Sequence, residues 1–202
     1  MLKPLCAVKH WVFDLDGTLT CDVHDFAYVR QELNIPATAD IIHYLASLPA
    51  AEAQAKQAWL LAYERAQAAL TQPAIGAVEL VQWLAQRGYK LAILTRNTRE
   101  LAIDTLTSLG LLAYFSPSNI LGREQGPAKP NPAGLLALAR QWCVTPQQMA
   151  MVGDFHFDLN CAKAAGAIAI QVNNSTNQWP EITDLYLSDC AALLAILKDK
   201  HK

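Results

Sequence analysis

Apolar and polar positions along the chain fall into two rhythms. His10, Trp11, Val12 and Phe13 form a short β-rich run that breaks into Asp14, Leu15, Asp16, Gly17 and Thr18, the pattern of a strand feeding a loop. Residues 22–72 change character: Ala, Gln, Glu and Leu dominate, and no strand pattern occurs. Three helices are predicted there: 22–33, stopping before Pro36; 38–48, with Thr38 as N-cap; and 49 to about 70, ahead of Pro73. From Ala77 onward helix and strand alternate. Val78, Val81, Leu84 and Ala85 mark a helical stripe ending at Gly88, and residues 91–94 form a continuous apolar strand. Leu101, Thr105, Leu106 and Leu109 mark a helix closed by Gly110. Asn131 and Pro132 open a helix reaching about Cys143, with the proline in its first turn. Thr145 and Gln148 have capping-box spacing. Strand 149–152, helix 157–165 ending at Gly166, strand 168–172, a short strand at 185–187 and helix 188–197 complete the chain.

Strands alternating with helices imply right-handed βαβ units, and so an α/β fold: a Rossmann-like parallel sheet with helices on both faces. The expected core is residues 1–20 and 74–202, with a small all-helical segment, 21–73, inserted after the first strand. Ligands of such sheets bind beyond the carboxyl ends of the strands. Asp14 and Asp16 follow the first strand, Thr95 the second, and Asp154 the strand at 149–152.

Composition narrows the function classes. The 202 residues, 52% hydrophobic and 17% charged, suit one globular core with a modest insertion. A net charge of -2 and the absence of any Lys/Arg run give no footprint for nucleic acid. Cys6, Cys21, Cys143, Cys161 and Cys190 are scattered, with no CxxC pair, so zinc is not expected; they read as reduced, buried small hydrophobes. Residues 1–10 are too short and polar for a signal peptide, and no apolar run approaches the roughly 18 residues of a membrane span. A cytoplasmic protein is expected, with no membrane partner. No sequence signal sets an oligomeric state.

The polar residues at the strand ends carry the chemistry. Asp14, Asp16, Asp154 and Asp158 are expected to converge, and crowded carboxylates need a cation. Hard oxygen donors without Cys or His suit Mg²⁺. Thr95 offers a hydroxyl, Asn97 an amide and Lys129 a positive charge beside Pro130, a set able to hold a transferring phosphoryl group. Asp14 would attack phosphorus and Asp16 would protonate the leaving oxygen.

These motifs resemble those of the haloacid dehalogenase superfamily of phosphatases and phosphotransferases. Asp14-Leu15-Asp16-Gly17-Thr18 resembles its first motif, Thr95-Arg96-Asn97 its second and Lys129-Pro130 its third. The run from Gly153 and Asp154 through Phe155, His156 and Phe157 to Asp158 resembles its fourth. Order and spacing match over nearly the whole chain. The resemblance implies that Asp14 forms an aspartyl-phosphate and binds Mg²⁺ through its carboxylate. Asp16 acts as general acid, then base, with its backbone carbonyl on the metal. Thr95 and Lys129, with Arg96 and Asn97 beside them, bind the phosphoryl group. Asp154 ligates Mg²⁺, and Asp158 serves it from the second shell or through water. Gly17 and Thr18 begin the family's flap, and the helical segment matches its substrate-selecting cap.

Plainer roles compete at several positions. Asp158 begins a helix and suits its dipole; Asn97 suits a helix cap before Thr98. His156 reads as solvent-facing or substrate-edge, His24 and His43 as surface, Trp59 and Tyr63 as core, and Arg123 as either an anion contact or a solvated loop charge. The expected activity is Mg²⁺-dependent hydrolysis of a small phosphorylated metabolite, in the layout of phosphoglycolate phosphatases. A phosphomutase or phosphotransferase of the same superfamily is the alternative. A carbon–halogen hydrolase would leave Asp16 idle. A phospho-accepting receiver domain lacks a helical insertion after its first strand, and the intact motif set argues against a catalytically dead binding protein.

Overall fold

In the computed structural model, which describes Leu5 and residues 8–199, the first apolar run is strand β1 (His10–Phe13). The strandless stretch after it forms helices α1 (Phe26–Glu32), α2 (Ile41–Ala46) and α3 (Ala50–Ala68). Two starts differ from expectation. Asp25 caps α1 by accepting from Tyr28 N at 2.9 Å, so the helix begins four residues after residue 22. Asp40, not Thr38, caps α2, accepting from His43 N at 2.9 Å. A carboxylate satisfies an orphan N–H and also complements the helix dipole, which a hydroxyl cannot. Val29, Leu33, Ile35, Ile41, Leu45 and Leu60 form the small core of this segment. Trp59 and Tyr63 stack at its margin, 5.7 Å between centroids, and His43 is exposed.

The chain then alternates through α4 (Ala77–Gln86), β2 (Lys90–Leu94), α5 (Arg99–Ser108), β3 (Ile120–Leu121), α6 (Ala133–Gln141) and β4 (Met149–Gly153). It closes with α7 (His156–Ala165), β5 (Ile168–Gln171), β6 (Leu185–Tyr186) and α8 (Cys190–Asp199). The chain divides into two compact units, Met1–Asp22 with Gln72–Lys202, and Val23–Thr71. Within the first unit, Thr20 bridges Pro73 and Cys21 N donates to Gln72 O at 2.8 Å.

All six strands are parallel, in the order β3-β2-β1-β4-β5-β6. Alternate side chains feed two cores, as the period of a strand requires. Trp11, Phe13, Ile93, Val152 and Ile170 point to one face, packed by α4, α5 and α8. Val12, Ala92, Met151 and Ala169 point to the other, packed by α6 and α7. Strand β3 carries no sequence signal, since two residues are too few to show a period. Of the cysteines, Cys161 and Cys190 are buried but Cys21 and Cys143 are exposed, and Cys6 lies outside the described residues. Cys143 sits just past α6 with φ 56°, a left-handed helix-ending position that keeps its side chain out of the core. Among the described residues no helix is long and apolar enough to cross a membrane.

Candidate active site

Strand order reverses at β1: the chain builds outward through β2 to β3, then returns to the other side of β1 with β4. A reversal of this kind opens a crevice beyond the carboxyl ends of the two strands that flank it. Asp14 leaves β1 and Asp154 leaves β4 at that crevice, and Asp14 N donates to Val152 O at 2.9 Å, extending the ladder. Asp158 joins them from the first turn of α7. One carboxylate oxygen from each of Asp14, Asp154 and Asp158 lies within 4.8 Å of the others.

Asp16 stands apart from that trio. Its Oδ2 accepts from Asn97 Nδ2 at 2.6 Å, so the fourth carboxylate faces the turn after β2. Asn97 is therefore not a helix cap. Thr98 caps α5, accepting from Leu101 N at 3.3 Å, while Asn97 is buried with its amide on Asp16. Thr95 is buried at the end of β2, and its hydroxyl accepts from Asn97 N at 3.0 Å.

Lys129 is the buried cation of the site, 2% exposed, and its Nζ donates to Asp14 Oδ1 and Asp158 Oδ1 at 2.6 Å each. Burial alone would lower its pKa, but Asp14 and Asp158 outweigh that and hold it above the usual lysine range. Burial, then repulsion from Asp158, pushes Asp14 up to about 7, with Lys129 offsetting part of the rise. Burial and the charges of Asp14 and Asp158 push Asp154 well above the carboxylate range. Three carboxylates against one ammonium leave two negative charges uncompensated, the deficit a divalent cation fills. With three oxygen donors and no sulfur or imidazole, the trio fits a hard cation such as Mg²⁺.

Asp158 fits the helix-terminus reading: Phe155 N donates to its Oδ2 at 3.1 Å, capping α7, while its Oδ1 accepts from Lys129 Nζ at 2.6 Å. Arg96 donates through Nη1 to Lys129 O, and its guanidinium lies 4.2 Å over the Phe157 ring. Arg123 binds the same turn, its backbone N donating to Asn97 O at 2.9 Å and Nη1 to Arg96 O at 3.3 Å. His156 packs in an aromatic group with Phe155, Phe157 and Trp179. His24 stacks on Phe26 in the helical unit.

Two glycines of the motifs are required by contact. A Cβ on Gly17, at φ +78°, would fall 2.5 Å from Asp154 Oδ2, and one on Gly153 would fall 2.2 Å from Asp158 Cβ. Sequence reasoning missed Asn173 and Asn174, which follow β5 and donate to backbone carbonyls of the loops carrying Gly17 and Asp154. Two adjacent amides just past a strand were the signal available, and they read equally well as a turn.

A family model described as haloacid dehalogenase-like hydrolase matches residues 8–166. A haloacid dehalogenase-like hydrolase domain-containing protein of Arabidopsis thaliana is 34% identical over 84% of this chain and 73% of its own length. A phosphoglycolate phosphatase of Thiobacillus denitrificans is 27% identical, with 93% of each chain covered. A solved hydrolase from Pseudomonas syringae matches with a TM-score of 0.77 at 21% identity, over 95% of this chain and 98% of its own, a likeness of fold.

Proposed function

The chain belongs to the haloacid dehalogenase-like hydrolases, and we propose that it is a Mg²⁺-dependent phosphatase that hydrolyses a small-molecule phosphate monoester through an aspartyl-phosphate on Asp14. The observation that carries this reading is the convergent trio of Asp14, Asp154 and Asp158, with Lys129 bridging two of its members. Phosphoglycolate phosphatases among the relatives point to a phosphorylated metabolite as substrate.

The roles follow from charge and reach. Asp14, Asp154 and Asp158, with the main-chain carbonyl of Asp16, would hold Mg²⁺, which supplies charge neutralisation for the carboxylates and for the phosphoryl oxygens. Thr95 and Lys129 would hold the phosphoryl group, with Asn97 and Arg96 forming the turn beside them. The Asp14 carboxylate attacks phosphorus as the bond to the leaving oxygen breaks, and Asp16 gives that oxygen a proton. Asp16 then takes a proton from water, whose oxygen attacks phosphorus, releasing inorganic phosphate and restoring Asp14. Asn97, bonded to Asp16 Oδ2, holds the acid–base group in one orientation through both steps. The helical unit Val23–Thr71 would act as the cap that selects substrate.

Phosphate release from a panel of phosphorylated metabolites, with Mg²⁺ and with chelator, tests the reading. Asp14→Asn should stay folded and lose turnover, because a neutral amide does not attack phosphorus. Full-rate hydrolysis in chelator, or by Asp14→Asn, overturns it.

A further inference from the structure

The loop after β5 touches both sides of the crevice without contributing a charged group. Val172 N donates to Gly153 O at 3.0 Å, continuing the pairing of β5 with β4. The next residue, Asn173, turns into the left-handed region at φ 58°, which asparagine tolerates better than most side chains. Its Nδ2 donates to Gly17 O and Thr18 O, each at 2.8 Å. Both amide hydrogens are thereby spent on the turn that follows Asp16. Asn174 Nδ2 donates to Asp154 O at 2.7 Å and to Val172 O at 3.1 Å. Asn174 is itself fixed: Tyr186 Oη donates to its carbonyl at 2.7 Å and Gln178 Nε2 to its Oδ1 at 2.9 Å.

These contacts meet at one carboxylate. Thr18 Oγ1 donates to Asp154 Oδ1 at 2.9 Å, and Gly17 sits so close to the same carboxylate that a Cβ there would fall 2.5 Å from its Oδ2. Asn174 therefore sets the main chain of Asp154, while Asn173 sets the turn that holds its side chain. We propose that Asn173 and Asn174 are positioning residues that fix the Asp154 carboxylate for cation binding, acting through the Gly17–Thr18 turn and the Asp154 main chain. The proposal rests on the reading of Asp154 as a Mg²⁺ ligand. Loss of a partner that orients a metal ligand typically costs about 10–100-fold in metal affinity.

The test uses the full chain with Asn173→Gly, Asn173→Asp and Asn174→Ala. Glycine keeps the left-handed backbone and removes only the amide; aspartate keeps the shape but turns an acceptor toward two carbonyl oxygens. Calorimetric titration with Mg²⁺ alone should show affinity falling about tenfold in Asn173→Gly and Asn174→Ala, and further in Asn173→Asp. At saturating Mg²⁺ the KM for a phosphate ester should stay within about twofold of the parent. The second measurement is hydrogen exchange of the amides of Thr18, Leu19 and Thr20, which donate to Leu15 O, and it needs neither metal nor substrate. Their exchange should accelerate in both Asn173 variants. Unchanged Mg²⁺ affinity in folded variants, with only a lower Tm, overturns the positioning role, and so does unchanged exchange. A parent chain that binds no Mg²⁺ while the variants still exchange faster sinks the metal reading and leaves the hold on the turn standing.

Discussion

Asp16 and Arg96 are the two motif residues whose contacts separate them from their neighbours. Asp16 lies outside the acid trio and is held by Asn97 at 2.6 Å, a placement suited to proton transfer. Asp16→Asn should therefore cripple an alkyl phosphate more than an activated aryl phosphate, because an aryl oxygen leaves with little protonation. With the aryl ester the aspartyl-phosphate still forms but breaks down slowly, for lack of a base to activate water. Rapid mixing should show a burst of leaving group and then a slow steady state; equal losses on both esters without a burst would remove Asp16 from acid–base duty. Arg96 reads in sequence as a phosphate ligand, yet its guanidinium donates to the Lys129 carbonyl and covers Phe157. The Lys129 ammonium counts most where charge develops on the transferring group, so a support that only positions it acts mainly on the transition state, whereas a direct ligand of the ground-state phosphate acts on binding as well. Arg96→Met is expected to lower kcat about tenfold with KM within about twofold, and the reverse split would return Arg96 to the phosphate.

At the scale of elements, β4 and α7 show how closely the motif is built. Gly153 ends β4, and its α-carbon faces Asp158 so tightly that a methyl group would lie 2.2 Å from that residue's Cβ. Gly153→Ala must push the first turn of α7 away and with it the hold of Asp158 on Lys129. Overpacking of this kind costs about 1–3 kcal/mol, so urea unfolding should shift by that amount and Mg²⁺-dependent turnover should collapse with it. A fully active Gly153→Ala would mean that the Asp158–Lys129 pair is dispensable. Legibility in the sequence divides along the same lines. Buried parallel strands such as 149–153 are continuous apolar runs ended by glycine and acid, so they and the site residues at their ends could be read directly. The edge strand Ile120–Leu121 was too short to carry a pattern. The start of α1 and the cap of α2 differ from the sequence reading because several polar residues precede each helix and only tertiary packing selects among them. The Asp16–Asn97 and Lys129–Asp158 pairings join residues 81 and 29 positions apart, so no local pattern foreshadows them.

For the molecule as a whole, the acid trio is a cost that a bound cation would convert into stability. Asp14 ordinarily titrates near 3.8 and is pushed up to about 7 in the fold, burial being the main cause and Asp158 the next. Across the window between those values the unfolded chain is ionised while the folded chain retains a proton. Stability of the metal-free protein from this group is therefore fully present below about pH 4 and is lost as pH rises through about 7. Asp154, also raised, adds to the loss in the same direction. If Mg²⁺ binds the ionised trio, as proposed, its stabilising effect must grow over the same window; mass action sets it at about 2.7 kcal/mol when the free ion is 100-fold above its Kd. The informative quantity is the difference in Tm between Mg²⁺ and chelator at each pH, since titrations elsewhere in the chain cancel in it. That difference should be small at pH 5 and larger at pH 8, with the contribution of Asp14 rising most steeply near pH 7. Asp154→Asn removes one carboxylate from the trio: it should raise the Tm in chelator at pH 8 and flatten the response to Mg²⁺. A Mg²⁺ effect on Tm that is the same at pH 5 and pH 8, or one that survives Asp154→Asn intact, would place the cation somewhere other than between β1 and β4.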